Sequence, residues 1–350
     1  MNLQKVYING IWRIILDMND FFKWIIKRIL LAIITIYVVI TATYILLYIS
    51  PGNPVQIYID SLLARGYSKE YALMKAREVF GNYVNQTAFQ AYLSYINGLL
   101  HGDLGRSLIY HEPVIKLIAL ETPYTVFLVS SSLILSYIIG VLIGLLTAKY
   151  SGGKIDSLIT ILSAAFNSIP NYIVAIILLL FFAIYNNYFP ISGSYGIGVH
   201  PGFNLPFIIN MLDHYTLPIL SFSLPMIPGW ILSIRSAAFS ISQEDYVRYA
   251  KLRGVKSRTI LLNYIGKTAV IPSFTRLMYS FGLLLGSATF IESIFGLYGI
   301  GSLYATALTS KDYPLAIGVL LVIVIISIIG NILADIIYGI LDPRVRVGEE

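Results

Sequence analysis

Apolar positions in this chain come in long unbroken runs rather than in alternation. Residues 29–49, 124–148, 158–185, 216–234, 277–291 and 314–341 carry almost no charge, and a bilayer core takes about 20 apolar residues per helical span. The runs predict six transmembrane helices and an all-α polytopic fold. The first run is full length and no small-residue cleavage site follows it, so it reads as a retained first span rather than a secretory signal.

Between the first two runs the pattern changes. Segment 50–121 opens with SPGNP, which stops a helix, and continues at 68–80 with SKEYALMKAREVF. Ser68 suits an N-cap there, and Tyr71, Leu73, Met74 and Val79 mixed with charges predict an exposed amphipathic helix. A glycine-punctuated loop, GLLHGDLGRSL, follows at 98–108.

Composition agrees with the runs: 57% of the 350 residues are hydrophobic, 12% are charged, and the mean hydropathy is +0.76. These values belong to a membrane protein. The absence of cysteine excludes disulfides, thiolate zinc sites and thiol nucleophiles. His101, His111, His200 and His214 are scattered without metal-ligand spacing. In a membrane protein the net charge of +6 informs by its placement and is no argument for nucleic acid.

Lys5, Arg13, Lys23, Lys27 and Arg28 precede the first span, Lys149 and Lys154 stand between the second and third, and Arg344 and Arg346 follow the last. The other side has no Lys or Arg from 186 to 213. Both termini are therefore expected in the cytoplasm of a multi-pass plasma-membrane protein. The expected organisation is an N-terminal segment 1–22, a first span 23–49, an extracellular helical subdomain 50–121, a transmembrane core 122–341 and a tail 342–350. Within the core, 236–276 is expected as a cytoplasmic loop.

That loop holds SQEDYVRYAKLRGVKSRTILLNYIGKTAVIP at 242–272. Glu244 and Asp245 favour a helix N-terminus, Lys251 and Arg253 a C-terminus, and Gly254 the left-handed cap that ends it. A second short helix can start at Ser257. Tyr246, Val247 and Ala250, then Ile260 and Leu261, offer apolar faces among the basic residues. Orientation alone needs charge, whereas a capped helix pair is suited to docking in a partner's groove.

This stretch resembles the EAA loop of ABC-importer permeases, in the form found in the dipeptide/oligopeptide (Opp/Dpp-type) subfamily. The family's glycine matches Gly254 and its downstream proline Pro272, while the Glu-Ala-Ala triplet reads Arg248, Tyr249, Ala250. ISPGNP at 49–54, GDLGRS at 102–107, FPISG at 189–193, TLPIL at 216–220, IESIFGLYGIGSL at 291–303, DYPLAIG at 312–318 and LDPRVR at 341–346 are similar to family signatures, in the family's order.

The resemblance implies a permease subunit of a type I ABC importer, not an enzyme, forming half of a path for peptides or oligosaccharides. Its partners would be a second homologous permease, two ABC ATPase subunits, an extracellular substrate-binding protein and membrane lipid. It implies no cofactor of its own. No G-x-x-x-x-G-K-[ST] loop occurs in the chain, so ATP and Mg would be held by the ATPases. The ATPase-coupling residues would be Glu244, Asp245, Tyr246, Val247, Arg248, Tyr249, Ala250, Lys251, Leu252, Arg253 and Gly254.

Small residues line two spans. Gly140, Gly144 and Ala148 mark the second, and Gly282, Gly286, Thr289 and Ser293 the fifth. Such stripes serve close packing, and Gly282, Gly286 and Thr289 are also candidates for the translocation path, with Asn167 and with Glu292 at the outer end of span five. Asn167 and Pro170 are placed to bend span three, and Asp335 is placed to pair with a basic residue. A self-contained secondary transporter or channel is the competing reading; it requires charges buried mid-span and an internal repeat, and neither stands out in the sequence.

Overall fold

The computed structural model describes residue 26, 29–46, 49, 54–80, 88–149 and 153–341. The segments 1–22 and 342–350, with Arg344 and Arg346, lie outside the described residues, as do Lys5, Arg13, Lys23, Lys27 and Arg28 and the side chain of Asp335. Among the described residues there are helices and no strand, and five helices are long and apolar enough to span a membrane: α1 (Ile29–Leu46), α5 (Val114–Lys149), α8 (Leu205–Ser242), α10 (Ser257–Phe295) and α12 (Tyr313–Leu341). The fold is an all-α polytopic membrane bundle.

The run expected as a third span is a broken pair. Helix α6 (Lys154–Phe166) and helix α7 (Asn171–Leu178), which continues in π-helical turns to Tyr185, meet at 93°. Pro170 is the cause: it has no N–H to donate and disfavours helical geometry at the residue before it. Its extended backbone (φ −63°, ψ 140°) starts α7 in a new direction.

Tight helix pairs form the bundle centre. On α5, a Cβ at Gly140 would overlap the Cβ of Trp230, and one at Gly144 would stand 2.8 Å from that of Ile234, so α8 rides directly on the α5 backbone. On α10, a Cβ at Gly282 would lie 2.9 Å from Ser327 Cα of α12, and Ser327 Oγ donates to the Gly282 carbonyl at 3.0 Å. In a bilayer, where lipid is as apolar as leucine, such backbone approach and interhelical bonding hold helices together. Helix α8 contains Pro218, Pro225 and Pro228 and remains continuous. Ser221 and Ser223 bond back to the carbonyls of Leu217 and Ile219.

Helices α2 (Pro54–Ala64) and α3 (Lys69–Phe80) pack through Ile59, Leu62, Ala72 and Ala76. Ser68 Oγ accepts from Tyr71 N at 3.2 Å, the expected N-cap. Helix α4 (Ala88–Leu100) reaches α1 through a 2.7 Å bond between Tyr92 and Thr41 hydroxyls.

Two boundaries differ from the sequence reading. Helix α5 starts at Val114, ahead of the expected edge at 121, because Pro123 falls inside the helix without breaking it. The expected loop 236–276 is largely helix: α8 runs on to Ser242, and the second helix starting at Ser257 is no separate short element but the beginning of α10. Between them stands α9 (Asp245–Leu252). Arg276 therefore sits in the middle of a spanning helix rather than at the edge of a loop.

Candidate functional site

Helix α9 projects at one end of the bundle, and its caps match its charges. Asp245 lies in the first turn and Lys251 in the last, each favourable to the helix dipole, and Glu244 holds the extended N-cap position (φ −64°, ψ 144°). Gly254 takes φ +74°, its N–H reaching the Lys251 carbonyl at 3.0 Å while Val255 N reaches Ala250 O at 3.2 Å. This left-handed closure is open to glycine at little cost.

The two sides of α9 do different work. Val247 and Ala250 are buried in a cluster with Leu145, Ile234, Ala238, Ile260, Ile265 and Ala269, which joins α9 to α5, α8 and α10. Tyr246, Tyr249 and Leu252 are exposed, Leu252 by 77%, with Arg248, Lys251 and Arg253 exposed around them. The apolar face expected to meet a partner was Tyr246, Val247 and Ala250; the structure divides it. Val247 and Ala250 fasten the helix to its own bundle, while tyrosines, Leu252 and basic groups face outward.

The opposite end is tied together by two buried carboxyl groups. Glu292, 0% exposed, accepts from Thr125 Oγ1 of α5 at 2.6 Å and from Ser302 N at 2.9 Å. Thr125 Oγ1 in turn accepts from Ile300 N at 2.9 Å, so the first turn of α11 (Ile300–Thr309) is capped by side chains of α10 and α5. Gly299 is packed against the Glu292 carboxyl, and a Cβ at Gly301 would lie 2.6 Å from the Thr289 backbone. Asp312 is likewise buried, binding Ser107, Leu108 and Ile109 on one oxygen. FPISG meets IESIFGLYGIGSL: Gly193 N reaches Phe295 O at 3.0 Å, and Ser194 Oγ accepts from Tyr298 N at 2.7 Å.

The path candidates are therefore dispersed. Gly282 lies under α12, Thr289 beside α11 and Glu292 inside the end clasp, whereas a Cβ at Gly286 would meet nothing within 4 Å. Asn167 lines a pocket of about 260 Å³ between the span-three break, α8 and α10.

Sequence reasoning missed two arginines inside the long helices. Arg235 of α8 forks onto Asp156 of α6, its Nε meeting one carboxylate oxygen and its Nη2 the other at 2.7 Å. Arg276 is the other.

Residues 140–347 match the family model for the binding-protein-dependent transport system inner membrane component. The chain is 29% identical over 325 residues to the probable peptide ABC transporter permease protein y4tP of Sinorhizobium fredii, covering 92% of this chain and 99% of that protein. It is 27% identical to the oligopeptide transport system permease protein AppB of Bacillus subtilis (92% and 99%) and 30% identical to the nickel import system permease protein NikB of Staphylococcus aureus (93% and 92%). With its spanning bundle and projecting capped helix, the chain belongs to the family of inner membrane components of binding-protein-dependent transport systems and is a permease subunit of an ABC importer.

Proposed function

We infer that this permease carries peptides inward and is driven through α9 by separate ATPase subunits. The observation that supports the reading best is the two-sidedness of α9. Val247 and Ala250 root it in the bundle where α5, α8 and α10 converge, so a push on its outward face is carried to three spans at once as a rigid displacement. Tyr246, Tyr249 and Leu252, flanked by Arg248, Lys251 and Arg253, form the aromatic and basic surface that an ATPase groove would receive.

In this reading the α9 end is cytoplasmic, as are both termini, and α2, α3 and α4 face a substrate-binding protein outside. Two ATPase subunits hold ATP and Mg, and a second, homologous permease completes the path, with Gly286 on its open side. Peptide cargo follows the named activities of y4tP and AppB. A tagged chain purified from its native membrane is expected to retain two ATPase subunits and a second permease. ATP turnover by the chain freed of those subunits would overturn the division of labour.

A further inference from the structure

Arg276 interrupts the otherwise uncharged stretch 268–291 of α10, where a cation is costly unless it has a task. Its guanidinium lies 5.6 Å from the Trp230 ring centroid, a cation–π contact. The indole is itself fixed: Trp230 Nε1 donates to Ser136 Oγ at 3.2 Å, and Tyr137 packs edge-on at 5.2 Å. The guanidinium is thus oriented, yet among the described residues no carboxylate or other acceptor pairs with it.

Arg276 borders the 260 Å³ pocket together with Asn167, Asn171, Ser280 and Trp230. The site is built by the chain's irregularities. The 93° break places Asn167 and Asn171 at the rim, and Gly229 leaves room for the Asn167 amide, since a Cβ there would lie 2.9 Å from its Oδ1. A planar fork of N–H groups backed by an aromatic face, with the Asn167 and Asn171 amides beside it, matches a carboxylate. It suits a bare divalent cation poorly, and a neutral sugar would leave the charge unanswered.

We propose that the Arg276 pocket is an anion-recognition site on the translocation path, which holds the terminal carboxylate of a peptide cargo. The proposal rests on the permease reading and deepens it by naming the group recognised. The test labels the assembled importer with 5-fluorotryptophan in nanodiscs of zwitterionic lipid, without ATP, and follows the fluorine resonance of Trp230, identified by its loss in Trp230→Phe. Penta-alanine with a free C-terminus is expected to shift that resonance saturably, the C-terminally amidated peptide at least tenfold more weakly. Arg276→Gln is expected to abolish the shift and Arg276→Lys to keep part of it, with the other tryptophan resonances and subunit composition unchanged. Equal response to acid and amide, no response, or an unaltered titration in Arg276→Gln would overturn the proposal. So would a Trp230 shift produced by phosphatidylglycerol and not by peptide, which would assign the site to a lipid phosphate. Occupancy is read without ATP, so the result is separable from that of coupled uptake, which tests the permease reading itself.

Discussion

The carboxylate of Asp312 accepts a 2.5 Å hydrogen bond from the hydroxyl of Ser107, joining the residue that caps α12 to the loop that precedes α5. The same oxygen takes the Leu108 and Ile109 N–H groups, and the other takes Leu315 N at 3.1 Å. Two motifs far apart in the chain, GDLGRS and DYPLAIG, are thereby one structural unit.

Replacing Asp312 by Ala takes an acceptor from four donors at once, of which Ile109 N keeps Ser107 Oγ at 3.3 Å. Each unmet bond to a buried charged group is worth roughly 1–3 kcal/mol, and the losses are not additive, so the expected destabilisation is about 3–4 kcal/mol. Hydrogen exchange is the direct check: the amides of Leu108 and Ile109 are expected to lose protection first in Asp312→Ala and less in Asp312→Asn, which keeps one acceptor. Unchanged protection would mean that the clasp does not hold the loop.

Gly299 and Gly286 are expected to respond to alanine in opposite ways. Gly299→Ala drives a methyl into the Glu292 carboxyl and disturbs its bond to Thr125, a strain of about 1–3 kcal/mol. Gly286→Ala meets open space, and helix propensity favours alanine by up to about 1 kcal/mol. Thermal unfolding in detergent is expected to show a lower midpoint for the first and an equal or higher one for the second; the reverse order would contradict this packing.

The Arg235–Asp156 fork predicts a double-mutant cycle with strong coupling. Arg235→Leu takes the guanidinium from a carboxylate that is 4% exposed, a loss of about 3 kcal/mol, whereas replacing both residues by leucine also removes the buried charge and recovers much of it. Additive losses in the cycle would show that the pair is incidental.

Much of this was legible in the sequence because spanning helices write themselves as apolar runs, and caps as residue types: Ser68 before α3 and Gly254 after α9 stand where expected. The bonds that close the far end were not legible, since Glu292 with Thr125 and Asp312 with Ser107 bring together positions that no local pattern links. Arg276 was misplaced because Arg258 and Lys267 thin the apolar signal from 257 onward, where α10 has already begun. The division of α9 was within reach. Adjacent Tyr246 and Val247 are about 100° apart on a helix and cannot share a face, whereas Val247 and Ala250 can, as can Tyr246 and Tyr249.

That division sharpens the test of α9. Ala250→Asp puts an unpaired carboxylate into the cluster with Leu145 and Ile234, at a cost of several kcal/mol, and is expected to lower the yield of folded chain before any coupling can be measured. Tyr249→Asp and Leu252→Asp alter only the exposed side and are expected to leave folding intact.

The most direct measurement of the central claim is peptide uptake set against substrate-stimulated ATP hydrolysis in proteoliposomes holding the assembled importer with Tyr249→Asp, Leu252→Asp and both together. Loss of uptake by at least tenfold, with subunit assembly and protein stability retained, is the result expected if α9 transmits the ATPase stroke. Uptake at the unmodified rate in the fully assembled double variant would contradict it and leave the basic stretch an orientation signal only.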